Sequence, residues 1–192
     1  MSLVRCVGKL SYYIQKAISP SSFTFQRMQV PSTKKDVLVF FPPNYDSKHG
    51  YSLMVNLHPG GFVAGTPEEC SQFCKLVANQ VNCVVVAPAY GLAPEAPFPH
   101  AIHDCVSCVE WSLKEFERNS VRPKVALVGF SAGANLVFGV AQMLKEEKGI
   151  EVEGLFSFYP PMDFSSTSEN TFQEKNPLKR CVYHEAYLQD VI

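Results

Sequence analysis

The sequence predicts an α/β fold in which a mostly parallel sheet is covered by helices on both faces. Short apolar runs alternate along the chain with longer segments whose apolar residues recur at helical spacing, and this alternation is typical of parallel sheets that are packed on both sides. Of the 192 residues, 46% are hydrophobic and 18% are charged, which is enough apolar content for one sizeable core.

Six strands and three covering helices are predicted for the α/β layers, in chain order. The strands span residues 23–30, 36–41, 53–57, 83–87, 124–128 and 155–159, and the helices span residues 67–80, 101–116 and 135–148. The start of the first helix has the clearest local signals. Thr66 with Glu69 matches a capping box, and Pro67 suits the first helical position.

A Gly-Phe-Ser-Ala-Gly stretch at residues 129–133 lies where an apolar run turns directly into a helix. A G-x-S-x-G pattern at such a turn is typical of a nucleophile elbow, in which the serine is held in a strained conformation with its hydroxyl projecting from the sheet. The pattern is weak alone, but its position between strand and helix favours Ser131 as a nucleophile.

A second glycine-rich stretch, His-Pro-Gly-Gly-Phe at residues 58–62, follows the apolar run at residues 51–57. Acyl transfer to a serine places negative charge on the carbonyl oxygen, and such a loop can offer bare backbone N–H groups to that oxygen. A Gly-Gly pair after a strand is by itself usually only a turn. Together with the N–H of Ala132, it predicts an oxyanion hole.

The sequence resembles the hormone-sensitive-lipase-like carboxylesterases of the α/β-hydrolase fold, also called fold-3. Residues 58–62 resemble the family's H-G-G-G-[FW] loop, residues 90–99 with Asp104 resemble its Y-R-L-A-P-E-x-x-F-P block with a downstream Asp, and residues 129–133 resemble its G-D-S-A-G elbow. The likeness runs from about residue 40 to residue 188. It implies Ser131 as nucleophile, Gly60, Gly61 and Ala132 as oxyanion donors, a small-molecule ester substrate, and neither metal nor organic cofactor.

Three residues depart from the family pattern. Pro59 replaces the first glycine of the loop and has no N–H to donate, but the resemblance assigns the donors to the next two glycines. Phe130 replaces the Asp before the nucleophile, and Gly91 replaces an Arg. We expect the last two changes to affect the bracing of neighbouring loops more than reactivity.

The acid and histidine that complete the family's triad follow the serine along the chain, and the blocks that carry them are not found after Ser131. Asp163 and His184 offer a shortened triad in the right order. We otherwise expect residues 36–192 to form an incomplete hydrolase domain that lacks its last strands. Such a domain would be weakly active, and the exposed sheet edge would favour self-association.

The amino-terminal 35 residues contain no Asp or Glu, and apolar residues recur at helical spacing in the first 18. We predict a helical lid segment and the first strand in residues 1–35. An organelle-targeting segment and a membrane-surface helix are the alternatives.

Charge, hydropathy and cysteine content argue against several other classes of protein. The net charge of −1 gives no reason to expect nucleic acid, and no apolar run is long enough to span a bilayer. The chain has seven cysteines, an odd number, and two pairs, Cys70 with Cys74 and Cys105 with Cys108, lie at helix-face spacings. This usage favours buried free thiols in the cytoplasm over half of a zinc site at Cys105 and Cys108.

Two non-catalytic hypotheses remain open. The chain could keep the pocket of the fold without a working triad and bind a small ligand, as the plant gibberellin receptors of the same family do. It could also be an inactive truncated product.

Overall fold

The computed structural model describes residues 25–116 and 125–162. Its six strands are β1 (Gln26–Gln29), β2 (Asp36–Phe40), β3 (Leu53–Leu57), β4 (Val84–Pro88), β5 (Val125–Phe130) and β6 (Val152–Phe158). Its three α-helices are α1 (Ser71–Val81), α2 (His100–Phe116) and α3 (Ala132–Lys148). The helix predicted over residues 1–18 and the candidate triad residues Asp163 and His184 lie outside the described residues.

The six strands form one mixed sheet in the order β1-β2-β4-β3-β5-β6. β1 and β2 are antiparallel to each other, and β2 is antiparallel to β4. β4, β3, β5 and β6 are parallel. The carboxyl ends of β3 and β5 therefore lie side by side, with Leu57 opposite Gly129.

Helices pack on both faces of this sheet, as predicted. One apolar cluster joins alternate strand residues such as Val55 and Leu127 to α2 and α3. A second cluster joins the other strand faces, including Phe40 and Val85, to α1. All five residues of β4 are buried, which explains why this strand is a continuous apolar run rather than an alternating one.

The predicted capping box before α1 is not formed. A 3₁₀ turn at Pro67–Cys70 precedes the α-helix, and the Thr66 hydroxyl caps no backbone N–H. The two residues are joined through the backbone instead, since Glu69 N–H donates to Thr66 O at 3.2 Å. The 3₁₀ turn replaces the i to i+4 geometry in which both halves of the box can close, while Pro67 is at the start as predicted.

Strand β6 is the edge of the sheet among the described residues. It begins three residues earlier than predicted, and its apolar side chains are exposed on both faces, with Leu155 36%, Phe156 48% and Phe158 42% exposed. An exposed apolar edge of this kind is a site of strand pairing with another chain.

Within residues 25–116 and 125–162, no helix combines the length and apolar character needed to cross a bilayer. In the same residues, no three His, Cys, Asp or Glu side chains are grouped as a metal site would require. Cys105 and Cys108 are unpaired thiols buried in the core, and burial raises the pKa of both.

Candidate active site

Ser131 lies at the sharp turn between β5 and α3, as predicted. Its backbone has φ 53° and ψ −116°, a conformation that costs a non-glycine residue on the order of 1–3 kcal/mol and is found mainly at functional sites. Two hydrogen bonds hold it there: Ser131 N–H donates to Phe158 O at 3.0 Å, and Asn135 N–H donates to Ser131 O at 3.2 Å.

The glycines on either side of Ser131 are required by close backbone contacts. A Cβ at Gly129 would lie 2.2 Å from Gly133 O, and a Cβ at Gly133 would lie 2.2 Å from Leu57 O. The first contact closes the turn on itself, and the second places the start of α3 against the end of β3. The G-x-S-x-G spacing therefore follows from the packing of this turn.

The glycine-rich stretch at residues 58–62, here termed the oxyanion loop, begins where β3 ends. Gly60 has φ 129°, and a Cβ there would lie 2.0 Å from Ala64 O, so no other residue fits. Gly60 O accepts the N–H of Ala64 at 2.9 Å and closes a tight turn. Within residues 25–116 and 125–162, the N–H groups of Gly60 and Gly61 donate to no backbone carbonyl.

The loop and the elbow meet at His58. A Cβ at Gly133 would lie 2.6 Å from His58 O, next to its contact with Leu57 O. Ala132, the first residue of α3, is fully buried at this junction. Its N–H belongs to the first turn of the helix, where N–H groups have no partner within the helix. The structure thus brings the oxyanion loop beside Ser131 and Ala132.

The His58 ring is buried and has a structural position. It stacks on Tyr90 with ring centroids 4.1 Å apart and an interplanar angle of 6°. Its Nδ1 lies 2.7 Å from Pro59 O, and since a carbonyl only accepts, Nδ1 is the donor. Burial lowers the pKa of His58 to about 4. The ring is therefore neutral at pH 7.

The segment after β4 contacts the oxyanion loop at two places. The Tyr90 hydroxyl donates to His58 O at 2.6 Å, and Ala93 N–H donates to Phe62 O at 2.9 Å. The sequence indicates no role for Tyr90 beyond its place in the block at residues 90–99. No local pattern could show these contacts, because they join positions more than 30 residues apart in the chain.

Phe130, which stands where the family pattern has an Asp, packs in an aromatic cluster that braces the elbow in place of polar contacts. Its ring stacks on Phe158 at 5.0 Å and meets Phe73 edge-on at 5.1 Å. Tyr159 lies 6.1 Å away. Aromatic pairs in these arrangements contribute about 0.5–1.5 kcal/mol each beyond area burial, so the elbow is braced by apolar contacts.

Gly91 is likewise compensated by a residue distant in sequence. Its N–H donates to Asp104 Oδ2 at 2.8 Å, and Lys35 Nζ lies 3.6 Å from the same oxygen. A Cβ at Gly91 would lie 2.7 Å from Ala96 Cβ and 3.0 Å from Asp104 Oδ2. Lys35 therefore supplies the positive charge near Asp104, and the side chains of Ala96 and Asp104 crowd the space that a larger residue at 91 would need.

A base for Ser131 is not found among the described residues. Four of the five histidines of the chain lie there, and no hydrogen bond joins any of their rings to the Ser131 hydroxyl. His58 is neutral but faces Pro59 and Tyr90, while His100 Nδ1 is 2.9 Å from Pro97 O at the start of α2.

Comparison with known proteins agrees with this geometry. The sequence matches the family described as alpha/beta hydrolase fold over residues 54–190. The chain belongs to this family. Hormone-sensitive lipase from Homo sapiens is 33% identical over 133 residues, which are 68% of this chain and 12% of that protein. The match to hormone-sensitive lipase confirms the predicted resemblance to its hydrolase family.

Two esterases are similar over different shares of the chain. Arylesterase from Saccharolobus solfataricus is 30% identical over 97 residues, 50% of this chain and 32% of that protein. The solved Pyrobaculum calidifontis esterase aligns with all of this chain and 65% of its own, with a TM-score of 0.79 at 24% identity. The chain therefore spans less than two thirds of the length of these relatives.

Proposed function

We propose that the chain is a serine-dependent carboxylic ester hydrolase domain acting on small-molecule esters, with Ser131 as nucleophile. The observation that carries this proposal is the strained Ser131 at a β-strand to helix turn, with a loop of donor N–H groups packed beside it. The relation to lipases and esterases supports the same reaction class.

In the proposed reaction the Ser131 hydroxyl oxygen attacks the ester carbonyl carbon and forms a tetrahedral intermediate. The negative charge on the former carbonyl oxygen is stabilised by the N–H groups of Gly60, Gly61 and Ala132, which need no metal or cofactor. Collapse of the intermediate expels the alcohol and leaves an acyl-serine, which water then hydrolyses.

The serine proton needs an acceptor, and this step limits the proposed activity. We propose that these 192 residues alone hydrolyse esters slowly, because loss of triad members typically costs on the order of 10⁴ to 10⁶ in rate. A shortened triad through Asp163 and His184 is the route by which the chain could be faster.

A small-ligand-binding protein is the second candidate function. It is favoured by one observation, the lack of a hydrogen bond between any described histidine and Ser131. The five cysteines among the described residues are buried free thiols, and they favour a reducing compartment such as the cytoplasm for either function.

Hydrolysis of p-nitrophenyl acetate by the purified chain tests the proposal. We expect slow turnover above the buffer rate that Ser131→Ala abolishes. Ser52→Ala is the matched control, since this exposed serine lies at the opposite end of the sheet, before β3. Turnover that survives Ser131→Ala would contradict the proposal. Turnover at an ordinary esterase rate that His184→Ala abolishes would instead establish the shortened triad.

A further inference from the structure

We propose that Tyr90 is a positioning residue whose hydroxyl holds the oxyanion loop against the elbow. This inference rests on the proposed function, since it concerns where the loop N–H groups lie relative to Ser131. The segment that carries Tyr90, residues 89–99 between β4 and α2, is here termed the brace, because it would hold the reactive geometry as well as connect the two elements.

The brace contacts the oxyanion loop on both sides of its two glycines. Tyr90 Oη donates to the carbonyl of His58 at 2.6 Å, before the glycines. Ala93 N–H donates to the carbonyl of Phe62 at 2.9 Å, after them. The glycine pair between these two carbonyls has φ values of 129° and 60°, and glycine backbones of this kind are the most freely mobile in a chain.

The carbonyl that Tyr90 holds lies at the contact between the two halves of the site. His58 O would be 2.6 Å from a Cβ at Gly133, two residues after the nucleophile. His58 and Tyr90 are only 1% and 3% exposed. A buried carbonyl that loses its donor would be left unpaired or would rotate to find another donor. That rotation also changes the orientation of the peptide units that lead to the glycine pair.

The brace is itself fixed to α2. Gly91, next to Tyr90, donates its N–H to Asp104 Oδ2 at 2.8 Å, and Lys35 Nζ lies 3.6 Å from that oxygen. The Asp104 carboxylate thereby fixes the backbone beside Tyr90, and the ammonium group of Lys35, just before β2, balances its negative charge. Hydrogen bonds to a charged acceptor are about twice as strong as neutral ones.

Tyr90→Phe tests the hydroxyl while keeping the ring that stacks on His58. The matched control is Tyr51→Phe, which removes a hydroxyl that accepts Asp46 N–H at 3.0 Å before β3, at the opposite end of the parallel strands from Tyr90. Amide hydrogen exchange of residues 58–66 and labelling of Ser131 by a fluorophosphonate would be measured in the full chain.

We expect Tyr90→Phe to speed exchange of residues 58–66 about tenfold, the change that follows from losing one hydrogen bond. We expect the maximal labelling rate to fall about 10-fold to 100-fold with the reversible affinity for the reagent unchanged, because small displacements of reacting groups cost up to about 10² in rate. A merely structural role would change both the maximal labelling rate and the reversible affinity for the reagent, or neither of them.

Exchange in residues 58–66 that stays within about twofold of the native rate, or that rises equally in Tyr51→Phe, would overturn the inference. If native Ser131 is not labelled at all, the proposed function fails while the exchange measurement still decides the role of Tyr90. A second pair of variants covers the case in which Tyr90→Phe does not fold. Asp104→Ala should speed the same exchange. Asp104→Asn, which keeps an acceptor oxygen for Gly91 N–H but loses the charge, should give a rate between those of Asp104→Ala and the native chain.

Discussion

Lowering the pH from 7.5 to 4.5 should destabilise the folded chain through His58. The ring is 1% exposed and is held neutral, since burial lowers its pKa to about 4 from the model-peptide value of 6.5. The unfolded chain takes up a proton at this histidine below pH 6.5, and the folded chain does not until about pH 4. The stability conferred by neutral His58 is therefore fully present above pH 6.5 and is lost as the pH falls toward 4.

The size of the loss follows from the difference between the two pKa values. It is roughly 1 kcal/mol at pH 5.5 and roughly 3 kcal/mol at pH 4. His58→Phe removes the titrating group and keeps an aromatic ring against Tyr90. The variant should be less stable than the native chain at pH 7.5, because it lacks the hydrogen bond to Pro59 O, but its stability should fall less steeply with pH.

Urea unfolding followed by circular dichroism at several pH values measures the free energy of unfolding against pH for the native chain and for His58→Phe. The difference between the two curves separates the contribution of His58 from those of the other titrating groups. His103→Phe is the control, since this side chain is exposed on α2. Parallel curves for the native chain and His58→Phe between pH 7.5 and 4.5 would refute the reasoning, as would an NMR titration of the His58 ring near pH 6.5.

Three further outcomes follow from the packing. Gly133→Ala should lower the free energy of unfolding by at least about 3 kcal/mol, because its Cβ meets Leu57 O at 2.2 Å. The control Gly149→Ala should lower it by only about 1–2 kcal/mol by thermal melting, because its Cβ meets no atom within 4 Å and only its φ of 65° is unfavourable. Phe130→Asp, which restores the family residue, should cost about 2 kcal/mol because the carboxylate enters the aromatic cluster; an unchanged denaturant midpoint would contradict this. Phe156→Lys should reduce self-association through β6 in sedimentation velocity, and an unchanged distribution would exclude that edge.

Sequence patterns predicted the layers of the fold because strands and helices of this chain differ in apolar period. The buried run of β4 and the helical spacing in α2 and α3 are local signals, and the six strands appear where they were expected. Strand ends were less accurate. β6 begins at Val152 rather than residue 155, since the pairing with β5 that extends it is a contact between segments and not a local preference.

The candidate site divides in the same way. Ser131 and the loop glycines belong to short motifs whose spacing follows from backbone geometry, so they could be named as candidates from the sequence. The hydroxyl of Tyr90 on His58 and the contact of Lys35 with Asp104 join distant segments. The side chains around Phe130 were also unpredictable, because an aromatic cluster forms only once β5, β6 and α1 are brought together.

Peptide mass spectrometry after incubation with a fluorophosphonate tests the central claim, that Ser131 is the nucleophile of a serine hydrolase site. The strained turn and the neighbouring N–H groups predict one slow, selective phosphonyl adduct on Ser131. The adduct should be absent from Ser131→Ala and from heat-unfolded chain, and it should form at the native rate in Ser52→Ala. No adduct on Ser131, or faster labelling of another serine in the folded chain, would contradict the account.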